Sequence, residues 1–450
     1  MKNVITVLVV FALAEAGQAA TRNNDDSCDI AVRPAATLLL PIFDVTIHTG
    51  PGVGDTTLFT ITNTSGVRQI AHVTVWTDWA YPVLAFNIVL TGYDVQAINL
   101  YDVLVHGAIG SGDPAPLHSV TRGSTPEASG SNPNIVDNCA DAPDSVPPML
   151  MDTVQRALTV GNTGTCVPVT QRVGGTHTNA KGYLTIDVVS RCTNEFPTSV
   201  TYYDRDLLFD NVLIGDYQQI HGDPTIGNLA QGNPMVHIRA IPEGGPAGSF
   251  AVTNLPYTFY DRYTTLAAHR RFDRRQPLPS RFAARWIENE ISARTSYRIW
   301  REGVTFGTQS CGDARANSAM PIAEIIRFDE HENSFGRLPS CGSPGFICSF
   351  VGLPAASITP TSSSGIYPPY YFSDVAGWMY LNLDNFPFRG GTPPKYTPAP
   401  PGNSYRASQN WVVVSMYAQG RFSADFDAAM LGNGCSAPEF APAREIGPAR

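Results

Sequence analysis

Four stretches of the chain gather side chains of types that could do chemistry. Phe328-Asp329-Glu330-His331-Glu332-Asn333 holds three carboxylates, an imidazole and an amide, the donors of a cation site or of a general acid/base pair. On a strand, neighbours point to opposite faces, so Asp329, His331 and Asn333 can share one side, and a polar strand end running into a loop is the simpler reading. Asp425-Phe426-Asp427 sets two carboxylates on one face of a strand, with no histidine nearby in sequence. Trp76-Thr77-Asp78-Trp79-Ala80-Tyr81 is the densest aromatic group. If Val73 and Val75 face a core, Trp76 points the other way. Trp76, Asp78, Trp79 and Tyr81 are then candidates for stacking on a sugar or seating a partner, against the plainer expectation of an aromatic plug at a sandwich end. The fourth stretch, residues 262–301, holds ten of the 27 arginines and suits an acidic polysaccharide or lipid head groups. Asp261, Asp273, Glu288, Glu290 and Glu302 are interleaved with it, which favours internal ion pairing or a domain interface.

The recognised catalytic spacings are absent from the sequence. There is no G-x-S-x-G elbow, no H-E-x-x-H, no S-x-x-K with partners, no phosphate-binding glycine loop and no D-x-D-x-D-G calcium loop. His72, His106 and His237 are scattered and read as ordinary residues of a β protein. No cofactor and no metal site is expected: C-x2-C and Cys/His zinc spacings do not occur.

The elements that must position these residues are strands. Thr57–Asn63, Ala71–Asp78, Ala85–Leu90, Val95–Leu100 and Met235–Ile241 alternate or are rich in β-branched residues, as do Ser296–Glu302, Ala323–Asp329 and Trp411–Ala418. Gly182-Tyr183-Leu184-Thr185-Ile186-Asp187-Val188 matches Gly377-Trp378-Met379-Tyr380-Leu381-Asn382-Leu383 position by position, which suggests two versions of one plan. Pro279-Ser280 predicts the cap of a short helix through Arg281–Ile291, with Phe282, Trp286 and Ile287 on one side.

Lys2, the apolar run Val4–Ala14 and the small residues Ala16–Ala20 have the form of a secretory signal peptide. The run is short of the ~20 apolar residues that cross a bilayer. All eight cysteines follow it, and an even count in an exported chain implies disulfides; the pairing expected is Cys28–Cys192, Cys139–Cys166, Cys311–Cys435 and Cys341–Cys348. A net charge of −9 argues against nucleic acid as a partner. Gly and Pro make up 75 of 450 residues and charged residues only 15%, a turn-rich all-β composition.

The expected organisation is all-β: two tandem immunoglobulin-like β-sandwich domains with a short, helical, Arg-rich connector. The boundaries are a signal peptide at 1–20, a first domain at 28–255 with a long loop insertion at 107–180, a connector at 256–295, a second domain at 296–435 and a tail at 436–450. The strands at Thr57–Asn63, Ala71–Asp78 and Gly182–Val188 resemble strands B, C and F of a bacterial immunoglobulin-like sandwich. Cys28-Asp29-Ile30-Ala31-Val32, Phe328-Asp329-Glu330 with Glu332-Asn333, and Gly420-Arg421-Phe422-Ser423 are similar to uncharacterised secreted proteins of environmental bacteria, a resemblance that lends no catalytic residue.

The function expected first is that of a secreted, non-catalytic extracellular protein: a surface, matrix, filament or adhesion component. Self-association or a cell-surface polysaccharide is the partner, with no membrane span, and secretion, surface display or the periplasm as location. A carbohydrate-binding module using Trp76, Trp79 and Tyr81 is the alternative, and a secreted hydrolase with a spatially assembled site the second alternative.

Overall fold

The computed structural model describes residues 30–50, 53–109, 132–136, 138–139, 145–164, 172–199, 201–222, 229–241, 243–244, 274–276, 278–287, 293–301, 322–335, 355–358, 376–385, 409–418 and 422–431. The expected signal segment, the Pro-rich loops and six of the eight cysteines lie outside these residues.

In the N-terminal half the chain forms β1 (Thr37–Val45), β2 (Thr56–Asn63), β3 (Gln69–Thr77), β4 (Pro82–Leu90), β5 (Val95–Asn99), helix α1 (Pro148–Thr159), β6 (Ala180–Val189), β7 (Leu213–His221), β8 (Leu229–Pro234) and β9 (Val236–Ile238). The C-terminal half forms β10 (Arg281–Ile287), β11 (Ala293–Arg301), β12 (Ile322–Asp329), β13 (Ser334–Phe335), β14 (Ala355–Ile358), β15 (Ala376–Asn385), β16 (Asn410–Ala418), β17 (Phe422–Asp427) and β18 (Ala429–Met430). The sheets are antiparallel, and their strand orders repeat. β4-β3-β6-β1-β9 and β5-β2-β7-β8 in the first half become β13-β12-β15-β10-β18 and β14-β11-β16-β17 in the second, each strand number raised by nine.

The two matched sequence segments are β6 and β15, the central strands of corresponding sheets. Their shared glycine has a steric cause. A Cβ on Gly182 would lie 2.0 Å from the Trp76 carbonyl oxygen, and a Cβ on Gly377 would lie 2.0 Å from that of Phe328. Each glycine faces the last residue of a neighbouring strand, Thr77 or Asp329, at the start of a hairpin turn.

The two turns are built alike. Thr77 N donates to Tyr81 O and Ala80 N to Thr77 O; Asp329 N donates to Asn333 O and Glu332 N to Asp329 O. Ala80 and Glu332 take the left-handed conformation, with φ of 59° and 64°. Thr77 Oγ1 accepts the amides of Trp79 and Tyr81, as Asp329 Oδ1 accepts those of His331 and Asn333.

Alternation explains the cores. Leu38, Leu40, Val73, Val75, Leu184 and Ile186 face Phe59, Ile61, Ile98 and Tyr217 inside the first half. In the second half Phe282, Trp286, Met379 and Leu381 face Tyr297, Ile299, Val412 and Val414. A third core joins the halves: Leu39, Trp76, Tyr183, Val236 and Ile238 from one, and Trp300, Trp411 and Val413 from the other. The sheet containing β3 and β6 is thus covered on both faces, and every residue of β3 is buried.

Three expectations are corrected. Arg281–Ile287 is strand β10, not the start of a connector helix: Phe282, Ala284 and Trp286 are buried at every second position. A spacing of four, as between Phe282 and Trp286, suits a strand as well as a helix, and pairing with β15 decides for the strand. The 107–180 insertion carries α1, which begins with Pro148 at its first turn and buries Met151, Val154, Ala157 and Leu158. Cys139 pairs with Cys192, Cα atoms 5.1 Å apart, which replaces both Cys28–Cys192 and Cys139–Cys166. Asn138 sets this pairing by exchanging two hydrogen bonds with the Cys192 backbone. Cys28, Cys166, Cys311, Cys341, Cys348 and Cys435 lie outside the described residues.

Candidate functional site

Ionisable side chains from both halves converge at one end of the joint. Asp425 and Asp427 stand two apart on β17, directly across from Ser415 and Val413 of β16. The same register continues into β11, where Arg298 faces Val413 and Trp300 faces Trp411. This sheet face is turned to the N-terminal half, because Trp300, Trp411 and Val413 belong to the joint core. One part of the face is apolar, and the part beside it carries Arg298, Asp425 and Asp427. β17 lies against β8, whose ladder with β7 puts Asn233 opposite Tyr217.

The geometry is that of an enclosed acid pair. Arg298 Nη1 is 3.7 Å from Asp425 Oδ2, and the Asp425 side chain has no solvent exposure. Trp411 Nε1 donates to Asp427 Oδ1 at 2.8 Å. Burial pushes the Asp427 carboxyl up to about 6; the Trp411 bond opposes this and the Asp425 charge adds to it. Burial also raises Asp425, opposed by Arg298. Tyr217, 1% exposed, is raised by burial first and then by the Asp427 charge. Its enclosed hydroxyl makes no well-formed hydrogen bond, and Asn233 is the amide that approaches it. His221, four residues further on β7, contributes charge to Asp425 and sits 3.3 Å from Asp55 Oδ1. Its hydrogen bond is the main cause holding Asp55 below the usual carboxylate range, against the opposing pull of burial. Chemically, the cluster retains a proton on Asp427 at a pH where free carboxylates are ionised.

A second polar cluster lies on the covered face of the β3–β6 sheet. Asp187 Oδ1 accepts hydrogen bonds from Thr37 Oγ1 at 2.6 Å and Arg275 Nη1 at 3.2 Å, and Oδ2 accepts one from the Tyr202 hydroxyl at 2.7 Å. Both charged side chains have no solvent exposure. The His72 ring packs 5.1 Å from that of Tyr202, and its Nδ1 donates to Asn87 Oδ1 at 2.9 Å. This ties the segments around Tyr202 and Arg275 onto the sheet. The sequence signal was an aspartate inside an otherwise apolar strand, Thr185-Ile186-Asp187-Val188.

The residues singled out in the sequence fall as follows. Trp76 does point away from the Val73/Val75 core, but the C-terminal half covers it: it is fully buried, stacked on Tyr183 at 5.6 Å and hydrogen-bonded to Thr185 Oγ1. Trp79 is 7% and Asp78 2% exposed, and Tyr81 is partly buried. Asp78 holds down the insertion, accepting from Gly175 N and meeting His177 Nε2, each at 2.8 Å. The four residues therefore form no open stacking surface. Asp329 is the turn cap described above. Burial acts to raise it, but the hydrogen bonds from Asn333 and His331 outweigh this and lower its pKa, while His331 and Asn333 are exposed.

Several of the described arginines of the rich stretch turn inward. Arg275 and Arg301 are fully buried, Arg301 donating to Asn410 Oδ1 and to the Leu383 carbonyl. Arg285 pairs with Glu330 at the surface and lies over Trp378. A planar fork with several fixed donors suits such sites better than an ammonium would. The acidic residues interleaved with the stretch lie outside the described residues.

The chain matches no family model, no curated protein and no solved structure.

Proposed function

We propose that this chain is a secreted, non-catalytic extracellular protein of two tandem immunoglobulin-like domains, serving as a surface, matrix, filament or adhesion component. The observation that carries this reading is the repeated nine-strand plan joined through a shared core. The reactive side chains most prominent in the sequence support it by their roles: Asp329 caps a hairpin, Asp78 and His177 anchor the insertion, and Asp187 with Arg275 fastens a cover to a sheet. Such an arrangement favours a rigid building block that self-associates or attaches to a cell-surface polysaccharide through its outer surfaces.

The carbohydrate-binding reading loses the exposed aromatics on which it rested, since Trp76 and Trp79 are buried. For the hydrolase reading, Asp425 and Asp427 are the strongest pair, but Asp425 is enclosed against Arg298 and cannot reach a substrate in this state.

The test combines cell fractionation, N-terminal mass analysis and negative-stain microscopy of the native protein. The expected result is a processed chain starting near Ala20 or Thr21, recovered outside the cytosol and seen in assemblies or bound to cell surfaces. An unprocessed cytosolic chain, or an exported monomer that binds nothing, would count against the proposal.

A further inference from the structure

We infer that the acidic end of the joint is a pH-sensitive clasp, which holds the two halves more tightly when Asp427 carries a proton than when it is ionised. The position of the residue makes this possible. β17 is the strand of the C-terminal half that lies against β8, so its inward carboxylates are covered only while the halves are together.

The groups facing the pair come from each neighbouring element. Among the described side chains, β7 supplies Tyr217 and His221, β8 the neutral Asn233, β11 the cation Arg298, and β16 the neutral Trp411 and Ser415. Among the described side chains, the two carboxylates thus have one arginine, Arg298, close by. Arg298 serves Asp425, and Asp427 has a neutral indole donor. The Tyr217 hydroxyl, buried beside the pair, is held neutral, because burial first and then the Asp427 charge raise its pKa. A proton on Asp427 removes the charge that burial disfavours.

The direction follows from linkage. In the closed joint the Asp427 carboxyl titrates at about 6. Released to solvent it returns towards ~4. The closed state therefore binds the proton more strongly. The stabilisation is complete below ~4, is lost as pH rises through about 6, and is flat above that. A difference of about two pKa units corresponds to a ratio of up to ~100 in the opening equilibrium. Asp425, raised in the same direction, adds to the effect.

The experiment is denaturant unfolding of the full chain from pH 4.5 to 7.5, comparing the native protein with Asp427→Asn. The asparagine imitates the neutral acid. Other groups contribute a pH dependence common to both proteins, so the difference between them is the readout. The native protein should lose roughly tenfold or more in its folding equilibrium relative to the variant across this range. Parallel profiles would overturn the inference. Trp411→Phe serves as a second variant, usable also if Asp427→Asn fails to fold. It removes a donor to the ionised carboxylate, so the midpoint of the pH profile should move up. A midpoint that stays in place would overturn the inference as well.

Discussion

Replacing Arg275 by leucine should destabilise the native chain by about 3–5 kcal/mol, the usual cost of leaving a buried charge without its partner. Asp187 would keep the hydroxyls of Thr37 and Tyr202 but lose the Arg275 guanidinium, at a site with no solvent exposure. The segment held by the pair would loosen with it: the backbone at Arg275 bridges to Ala240, and Gln276 N donates to Arg239 O. Urea unfolding reads the effect as a lower midpoint at nearly constant slope. The double variant Asp187→Asn with Arg275→Leu should recover part of the loss, because no unpaired ion remains. A single variant within ~0.5 kcal/mol of the native protein, the range of ordinary surface changes, would show that the pair is not enclosed as described.

Trp300→Ala should cost about 3–5 kcal/mol and weaken the joint in particular. Trp300 is fully buried among residues of both halves and meets the Tyr183 ring edge-on at 5.8 Å, while Tyr183 stacks on Trp76. Removing the indole leaves a cavity between two sheets that have separate cores of their own. The variant should therefore melt in two resolved steps, where the native chain melts in one. Trp378→Ala is the control. Trp378 is 42% exposed and lies under Arg285 at the surface, so its loss should cost under ~1 kcal/mol and leave the melting profile unsplit.

The strands were legible because alternation is a local signal: β2, β3, β4, β5, β11, β12 and β16 lie where the apolar periodicity put them. The twofold plan showed in the glycines at 182 and 377, since close approach of a carbonyl leaves room for no other residue there. What stayed illegible depends on partners distant in sequence. Alternation correctly turned Trp76 away from one core but said nothing of the second half that covers it. β10 and a helix share the Phe282/Trp286 spacing, and only the ladder with β15 separates them. The Cys139–Cys192 pairing depends on how the chain returns along β6, which cysteine spacing does not encode. Asp425 and Asp427 stood out in sequence, whereas the residues that perturb them arrive from other strands: Arg298 and Trp411 from the same sheet, and His221 through the joint.

The two halves, alike in strand order, form one body through the face shared by β6 and β16. Native-state hydrogen exchange on the full chain at one fixed pH tests it most directly. The amides of Tyr183 and Leu184 on β6 and of Val412 and Val413 on β16 should exchange through a common opening, with the same free energy and the same denaturant dependence. Contradiction would be a separate, cheaper opening that exposes the β16 amides while those of β6 stay protected.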